Sequence, residues 1–182
     1  MSKAFTKEND DAPEDDFQAS SPGELPLDAK NYVTPRGHGL LTDEWNRLAN
    51  TERPEAARLT ALAQASNQTL ELQTLKSRQR QIDRRIQYLQ KRIENAEVVD
   101  GAKRARTDRV YFGATVNYIT SKGVERIVSI VGVDEADAPL GRISYQSPLA
   151  KALIGAREGD VVTFQSPGGV DELEIAEVRY LP

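Results

Sequence analysis

The chain contains 182 residues, of which 38% are hydrophobic and 29% charged, and its formal net charge is −4. It has no cysteine, which excludes disulfide bonds, thiolate metal sites and a cysteine nucleophile. Its single histidine, His38, has no second histidine with which to form a metal cluster. No apolar run reaches the roughly 20 residues of a membrane span, and the first residues lack the apolar stretch of a signal sequence. We therefore expect a cytoplasmic protein with no membrane contact and no metal of its own.

The beginning of the chain is strongly acidic. Residues 1–34 carry three basic and eight acidic side chains, whereas residues 35–97 carry eleven and eight, and residues 98–182 carry ten and twelve. Residues 1–30 contain too few apolar side chains to offset the entropy lost on ordering, which predicts a disordered acidic tail. A functional alternative is that this tail mimics the charge of a nucleic acid and shields the chain's own basic stretch.

Residues 31–100 are predicted to form an antiparallel coiled-coil hairpin. Thr34 is suited to cap a helix beginning at Pro35, because a nitrogen in the first turn has no partner within the helix. Two apolar stripes with alternating three- and four-residue spacing indicate a coiled coil that folds back near Asn67, with its tip at residues 65–69. Pro54 should kink the first helix, and the second should end at Asp100 and Gly101. The stripes comprise Leu41, Trp45, Leu48, Leu59 and Leu62, then Leu72, Leu75, Gln79, Ile82, Ile86, Leu89, Ile93 and Ala96.

The rest of the chain alternates short strand patterns with turn residues. Residues 101–109 form a predicted basic linker, and residues 110–182 a mostly antiparallel sheet with one short helix. That helix should begin at Pro148, with Ser147 as its cap, and end near Leu153. The predicted strands are 111–119, 126–131, 143–145, 161–165 and 173–180. The expected fold class is therefore α+β.

Several motifs resemble the Gre family of transcript cleavage factors. The hairpin begins with Tyr32-Val33-Thr34-Pro35 and later contains Ile82-Asp83-Arg84-Arg85-Ile86. In the second half, Ser147-Pro148-Leu149-Ala150 and the following Gly159-Asp160 are similar to the C-terminal motif of the family. The first eight residues and Glu52-Arg53-Pro54 resemble the GreB-like branch. This resemblance covers roughly residues 31–180.

The resemblance implies a regulator of bacterial RNA polymerase rather than an enzyme. The C-terminal domain, with a fold like that of FK506-binding proteins, would dock at the mouth of the polymerase secondary channel. The hairpin of the monomer would then pass down the channel to act on paused or backtracked complexes. In the family, an Asp-x-x-Glu tip helps to hold Mg²⁺ in the polymerase active centre, where the polymerase cleaves its own RNA. The chain would need no cofactor besides that ion.

The predicted tip departs from the family pattern. Without gaps, the two family acids align with Ala65 and Gln68, and residues 56–70 contain no aspartate or glutamate at all. Ser66 and Asn67 complete the tip without adding charge, and Glu71 is the only remaining candidate for an ion contact. Because Mg²⁺ prefers carboxylate oxygens, we expect weak or no stimulation of cleavage and a regulatory or competitive role.

Two further surfaces are predicted to contact the polymerase or nascent RNA. The second helix is rich in basic side chains, and the alternative to an RNA or channel-wall contact is a solvated flank with some surface ion pairs. By resemblance, the docking loop contains Gln146, Ser147 and Pro148, and Gln146 stands where the family usually has an acid. The candidate basic contacts are Arg78, Arg80, Arg84, Arg85, Lys91 and Arg92, with Lys76 on the same helix.

Two other functions remain open on the sequence. The first is prolyl isomerisation, which relies on an aromatic-lined pocket, although residues 98–182 contain only six aromatic side chains. The second is a coiled-coil chaperone that clamps its clients with the tip of the hairpin. That function predicts exposed apolar groups near residue 67, whereas the stripe pattern assigns Leu62, Leu70 and Leu72 to the helix seam.

Overall fold

A computed structural model describes residues 26, 30–66, 69–104, 107–166 and 169–180. The predicted tail other than Pro26 and Lys30, the tip residues Asn67 and Gln68, and two residues of the predicted linker lie outside the described residues. The helices are α1 (Pro35–Arg47), α2 (Arg53–Ala65), α3 (Thr69–Glu94) and α4 (Pro148–Leu153). The strands are β1 (Asn31–Val33), β2 (Ala96–Val98), β3 (Thr115–Thr120), β4 (Glu125–Val131), β5 (Arg142–Ser144), β6 (Val161–Ser166) and β7 (Gly169–Arg179).

The first half of the chain is a helical hairpin. Thr34 caps α1 by accepting a hydrogen bond from the amide of Gly37, with Pro35 in the first turn, as the sequence predicts. The helices α1 and α2 both pack against α3, which returns in the opposite direction. The core of the hairpin consists of Val33, Leu41, Leu48, Ala56, Ile82 and Leu89. The α+β fold class is confirmed.

A π-helix at Leu48–Glu52 joins α1 to α2 and shifts the seam by one residue. Pro54 has no N–H, and its ring would clash with the carbonyl of residue 50 in a regular α-helix. The wider turn avoids that clash, and the Arg53 amide hydrogen-bonds the carbonyl of Leu48, five residues back.

The extra residue in this turn rotates all of α2. Ala56, Thr60 and Ala63 are buried, whereas Leu59 and Leu62 are exposed. The predicted seam positions of Leu59 and Leu62 are therefore wrong. On α3 the predicted seam agrees with the structure, because the apolar residues of that stripe from Leu72 to Ile93 are buried or half-buried.

The helix α3 ends at Glu94, six residues before the predicted stop at Asp100. The following residues form β2, which pairs in parallel with β1 in the register Asn31↔Ala96 to Val33↔Val98. This pairing brings together segments that are far apart in sequence, so no local helix-stop signal reveals it. It ties the start of the hairpin to its end.

The second half is a five-stranded sheet in the order β5-β4-β3-β7-β6. All neighbours are antiparallel except β4 and β5, which are parallel. The short helix α4 packs on the sheet, where Ala150 and Leu153 join a core that includes Val116, Ile130 and Ile175. The strand β3 starts later than predicted, because a turn with Gly113 at a φ of 85° precedes it.

Candidate functional site

The tip of the hairpin carries hydroxyl and apolar groups where it is described. Ala65 ends α2, and Ser66 follows it with its amide and its hydroxyl both donating to the carbonyl of Leu62 at 3.0 Å. Ala65 and Ser66 are exposed, and Glu71 lies exposed in the first turn of α3. Between Glu55 and Glu71 the described residues include no carboxylate. Glu55 itself accepts two hydrogen bonds from Arg58, at 2.9 and 2.7 Å.

Large apolar side chains are exposed on both sides of the turn. Leu62 is 53% exposed at the end of α2, and Leu70 is 81% exposed at the start of α3. The prediction that Leu62 and Leu70 belong to the seam is wrong. For Leu62 the reason is the rotation of α2 by the π-helix. The described part of the tip therefore presents apolar and hydroxyl groups and, before Glu71, no carboxylate.

The exposed basic side chains of α3 fall into two groups, and the first is paired with acids. Arg85 donates two hydrogen bonds of 2.8 Å to Glu44 on α1 and lies over the ring of Tyr88 at 5.1 Å. These hydrogen bonds lower the pKa of the Glu44 carboxyl. Arg78 lies 3.9 Å from Glu52, and Lys91 lies 3.4 Å from Glu94. Exposed pairs of this kind contribute little to stability.

The second group consists of exposed cations without an acidic partner. Lys76, Arg80 and Arg84 are exposed on α3 and pair with no acid in the part of the chain that the structure describes. They are spaced by four residues, which places their side chains along one face of the helix. These three residues are named the cationic stripe below.

Arg92 does not belong to either group, which corrects the prediction that it contacts RNA. Its side chain is only 1% exposed. Its Nε donates to Asp134 at 2.9 Å, and its Nη2 donates to the side-chain oxygen of Asn31 at 2.7 Å. Arg92 therefore connects the base of the hairpin to the loop after β4.

Asp134 is the centre of a buried network between the hairpin and the sheet. Besides the contact with Arg92, it accepts hydrogen bonds from the side-chain Nδ2 of Asn31 at 3.0 Å and from the Tyr88 hydroxyl at 2.7 Å. Burial and the hydrogen bond to Asp134 raise the pKa of Tyr88 to about 12. Three donors on one carboxylate compensate for much of the desolvation that its burial requires.

Glu135 makes a second connection beside Asp134. It accepts a hydrogen bond from the Thr34 amide at 2.8 Å and another from the Thr34 hydroxyl. Its carboxylate thus lies at the N-terminus of α1, where the helix dipole favours negative charge. Gly37 is required nearby, since an added Cβ would lie 1.9 Å from Glu135 Cδ. Asp134 and Glu135 are not among the residues that the sequence predicts for a site, because in sequence they are only two acids that follow the end of β4 after Gly132 and Val133.

The predicted docking loop lies next to the base of the hairpin. Ser147 caps α4 by accepting a hydrogen bond from the Ala150 amide at 3.2 Å, and the neighbouring Pro148 is exposed. The Gln146 side chain donates to the Tyr145 hydroxyl at 3.3 Å. Tyr145 in turn packs edge-on against Tyr32 of β1, with ring centroids 5.8 Å apart. Gln146, Ser147 and Pro148 therefore sit on an element that contacts the hairpin.

The described residues include no group of three or more histidine, aspartate or glutamate side chains placed to hold a metal ion. In the same residues, no helix is both long and apolar enough to cross a bilayer. Phe112 and Tyr145 pack edge-on against each other at 5.7 Å, and Tyr32 lies against both rings. These aromatic side chains pack against one another where the hairpin meets the sheet domain. This packing does not favour a prolyl isomerase site there.

Comparison with known proteins covers both halves of the chain. The model of the transcription elongation factor N-terminal family matches residues 31–98, and the GreA/GreB C-terminal model matches residues 105–180. The chain is 46% identical to GreB of Neisseria meningitidis serogroup A over 160 residues, which is 86% of this chain and 98% of the relative. It is 41% identical to GreA of Alkalilimnicola ehrlichii over 156 residues, which is 84% of this chain and 99% of the relative.

A solved GreA/GreB factor from Nitrosomonas europaea is 22% identical, with 83% of this chain and all of that chain covered, at a TM-score of 0.38. The two family models together match nearly everything from residue 31 onwards. Identity to the GreB relative exceeds identity to the GreA relative. The chain belongs to the GreA/GreB family of transcription elongation factors, in its GreB-like branch.

Proposed function

We propose that this elongation factor binds bacterial RNA polymerase in the cytoplasm and inserts its hairpin into the secondary channel, with little or no stimulation of transcript cleavage. It is a regulator of paused or backtracked complexes, and it competes with relatives that carry an acidic tip. One observation carries the proposal: residues 56–70 contain no carboxylate on a hairpin that otherwise has the family's length and motifs.

The chemical reason lies in the ligand preference of Mg²⁺. This ion keeps its water ligands unless anionic oxygens replace them, and two-metal hydrolysis depends on such oxygens. Ala65 offers no ligand and Gln68 only a neutral amide, while Glu71 could supply one carboxylate from the first turn of α3. One carboxylate does not substitute for the pair that the family motif provides.

The basic side chains of α3 favour contacts with RNA or with acidic channel walls. The cationic stripe is free for such contacts, and Arg78, Arg85 and Lys91 are exposed partners of weak surface pairs. Contacts to phosphates provide affinity without reading sequence, which suits a factor that acts on many transcripts. Nascent RNA is therefore a proposed partner alongside the polymerase.

Docking is proposed to involve Gln146, Ser147 and Pro148. If the contact geometry of the family is retained, Gln146→Asp should restore the usual acid and strengthen polymerase binding in a pull-down or by anisotropy. Pro148→Ala should weaken the same binding. Glu172→Gln is a control that changes one exposed charge on β7, outside the loop residues. Equal binding by all variants would contradict this docking surface.

Channel insertion is tested directly with a photo-crosslinker at the tip. The chain has no cysteine, so Ser66→Cys gives a single attachment point, and Thr163→Cys on the exposed side of β6 serves as the control. We expect the label at residue 66 to react with the polymerase active centre or the RNA 3′ end in backtracked complexes. Labelling of the outer polymerase surface alone would overturn the proposal.

A coiled-coil chaperone is the second candidate, and the exposure of Leu62 and Leu70 favours it. Exposed apolar groups at the end of a rod can bind unfolded clients. If this activity exists, the protein should suppress aggregation of a heat-denatured test protein. The variant Leu62→Ser/Leu70→Ser should lose that effect while it retains its helicity. No suppression by the natural chain would exclude this candidate.

A further inference from the structure

The cationic stripe is a charged surface that the fold leaves without a partner. Lys76, Arg80 and Arg84 span eight residues, or about 12 Å along the helix axis. Every one of them is exposed, and among the described residues none forms an ion pair, although the neighbouring Arg53, Arg78 and Arg85 do. Three exposed cations on one face, none paired with an acid among the described residues, attract an anionic segment that can reach them.

The same chain contains a segment of opposite charge. Residues 10–16 include five acids among seven residues, namely Asp10, Asp11, Glu14, Asp15 and Asp16. This acidic segment lies outside both family matches, which start at residues 31 and 105. The sheet half, with ten basic and twelve acidic side chains, does not attract it.

The connection between the two is short enough. Asn31 enters β1 beside the end of α3, where its amide donates to the carbonyl of Asn95 at 2.9 Å. Along the helix axis, Arg84 lies about 17 Å from Asn95 and Lys76 about 29 Å. The 14 residues from Asp16 to Lys30 span up to roughly 46 Å when extended. The acidic segment can therefore reach every residue of the stripe.

We infer that the acidic segment of residues 10–16 binds the cationic stripe of α3 and so competes with RNA for it. The contact is intramolecular, and a short tether gives an effective concentration in the millimolar range. An external nucleic acid must displace the segment, which weakens non-specific RNA binding without abolishing it. The expected effect on RNA binding rests on the proposed function, in which the stripe contacts RNA. The binding of the acidic segment to the stripe does not depend on that proposal.

The contact is measured in the full-length chain by paramagnetic relaxation. A nitroxide on Ala12→Cys should broaden the amide signals of residues 73–91 at about 50 mM salt, and the signals should recover at about 500 mM because salt screens the attraction. Recovery is also expected in Glu14→Gln/Asp15→Asn/Asp16→Asn and in Lys76→Gln/Arg80→Gln/Arg84→Gln. A control with three other cations removed, Lys103→Gln/Lys122→Gln/Arg126→Gln, should keep the broadening.

Competition is measured as the affinity of the full chain for a short single-stranded oligouridylate. Neutralising Glu14, Asp15 and Asp16 should tighten binding about three- to tenfold, as expected when an intramolecular competitor is removed. The same change should have no effect once the stripe has been neutralised. Absent or displaced broadening would overturn the contact, and unchanged RNA affinity would overturn the competition. Tip crosslinking to the polymerase reports on the proposed function independently of both results.

Discussion

At the scale of single residues, the joint between hairpin and sheet depends on Asp134. Its carboxylate and the Arg92 guanidinium are 7% and 1% exposed, so neither can turn to water when its partner is lost. We expect Asp134→Leu to lower the free energy of unfolding by about 3–5 kcal/mol, because it leaves the Arg92 charge buried and unpaired.

The measurement is equilibrium denaturation in urea, and an exposed ion pair provides the control. Glu44→Gln breaks the contact of Glu44 with Arg85, whose side chain is 47% exposed. That change should cost less than about 1 kcal/mol. Similar losses in the two variants would mean that the network around Asp134 is not a buried joint.

Tyr88 belongs to the same network and gives it a pH dependence. Its pKa is raised to about 12, above the ordinary value of 10.0, by burial and by the hydrogen bond to Asp134. The protonated phenol is thus favoured in the folded state. Its contribution to stability is complete below pH 10 and is lost as the pH rises through about 12.

Absorbance at alkaline pH follows the ionisation of the tyrosines. In the native state we expect Tyr88 to ionise near pH 12, and Tyr88→Phe should remove that step while leaving the others, including that of Tyr118, whose pKa is also raised by burial. In the same variant, the alkaline loss of stability should become shallower. A titration in which Tyr88 ionises with the exposed tyrosines would contradict its place in the network.

At the scale of elements, the π-helix decides which face of α2 is buried. Ala63 is 4% exposed and Leu62 is 53% exposed, although the apolar spacing alone favours Leu62 as the buried residue. Ala63→Asp should therefore cost several kcal/mol, since burying an unpaired charge is expensive. Leu62→Asp places the same residue type one position away and should cost less than about 1 kcal/mol.

Circular dichroism during thermal unfolding distinguishes the two substitutions. Because both introduce aspartate into α2 at neighbouring positions, the two costs in helix propensity differ only by the small difference between alanine and leucine. A larger loss of stability in Leu62→Asp than in Ala63→Asp would mean that α2 continues α1 as a regular helix with Leu62 buried. That result would contradict the shifted seam.

The elements that could be predicted from sequence are those governed by local signals. The caps Thr34 and Ser147 and the stripe of α3 are such cases. The buried face of α2 could not be predicted, because Pro54 is accommodated by a π-helical turn. The apolar spacing of the sequence does not reveal the extra residue of that turn. The end of α3 was missed because the pairing of β1 with β2 is non-local.

The candidate site divides in the same way. The composition of the tip and the basic character of α3 can be read from the residues. The sequence does not reveal which cations lack an acidic partner, because the partners of Arg53 and Arg85 come from other helices. Arg92 resembles the other basic residues of α3 in sequence, and only the packing of the sheet against the hairpin removes it from the surface.

At the scale of the whole molecule, the chain joins a sheet domain, proposed to dock on the polymerase, to a hairpin without aspartate or glutamate in residues 56–70. The double network at Asp134 and Glu135 ties the base of the hairpin to the sheet, so that binding through one half positions the other. We propose that a factor built in this way occupies its site on the polymerase without supplying metal ligands. Competition without stimulation of cleavage is the expected consequence.

The most direct test is the rate of RNA cleavage in backtracked polymerase complexes. We expect the natural chain to give no increase over polymerase alone and to slow cleavage by a factor with an acidic tip. Ala65→Asp/Gln68→Glu should raise the rate at least about tenfold, which corresponds to about 1.4 kcal/mol of transition-state stabilisation. Strong Mg²⁺-dependent cleavage by the natural chain, persisting in Glu71→Ala, would contradict the account.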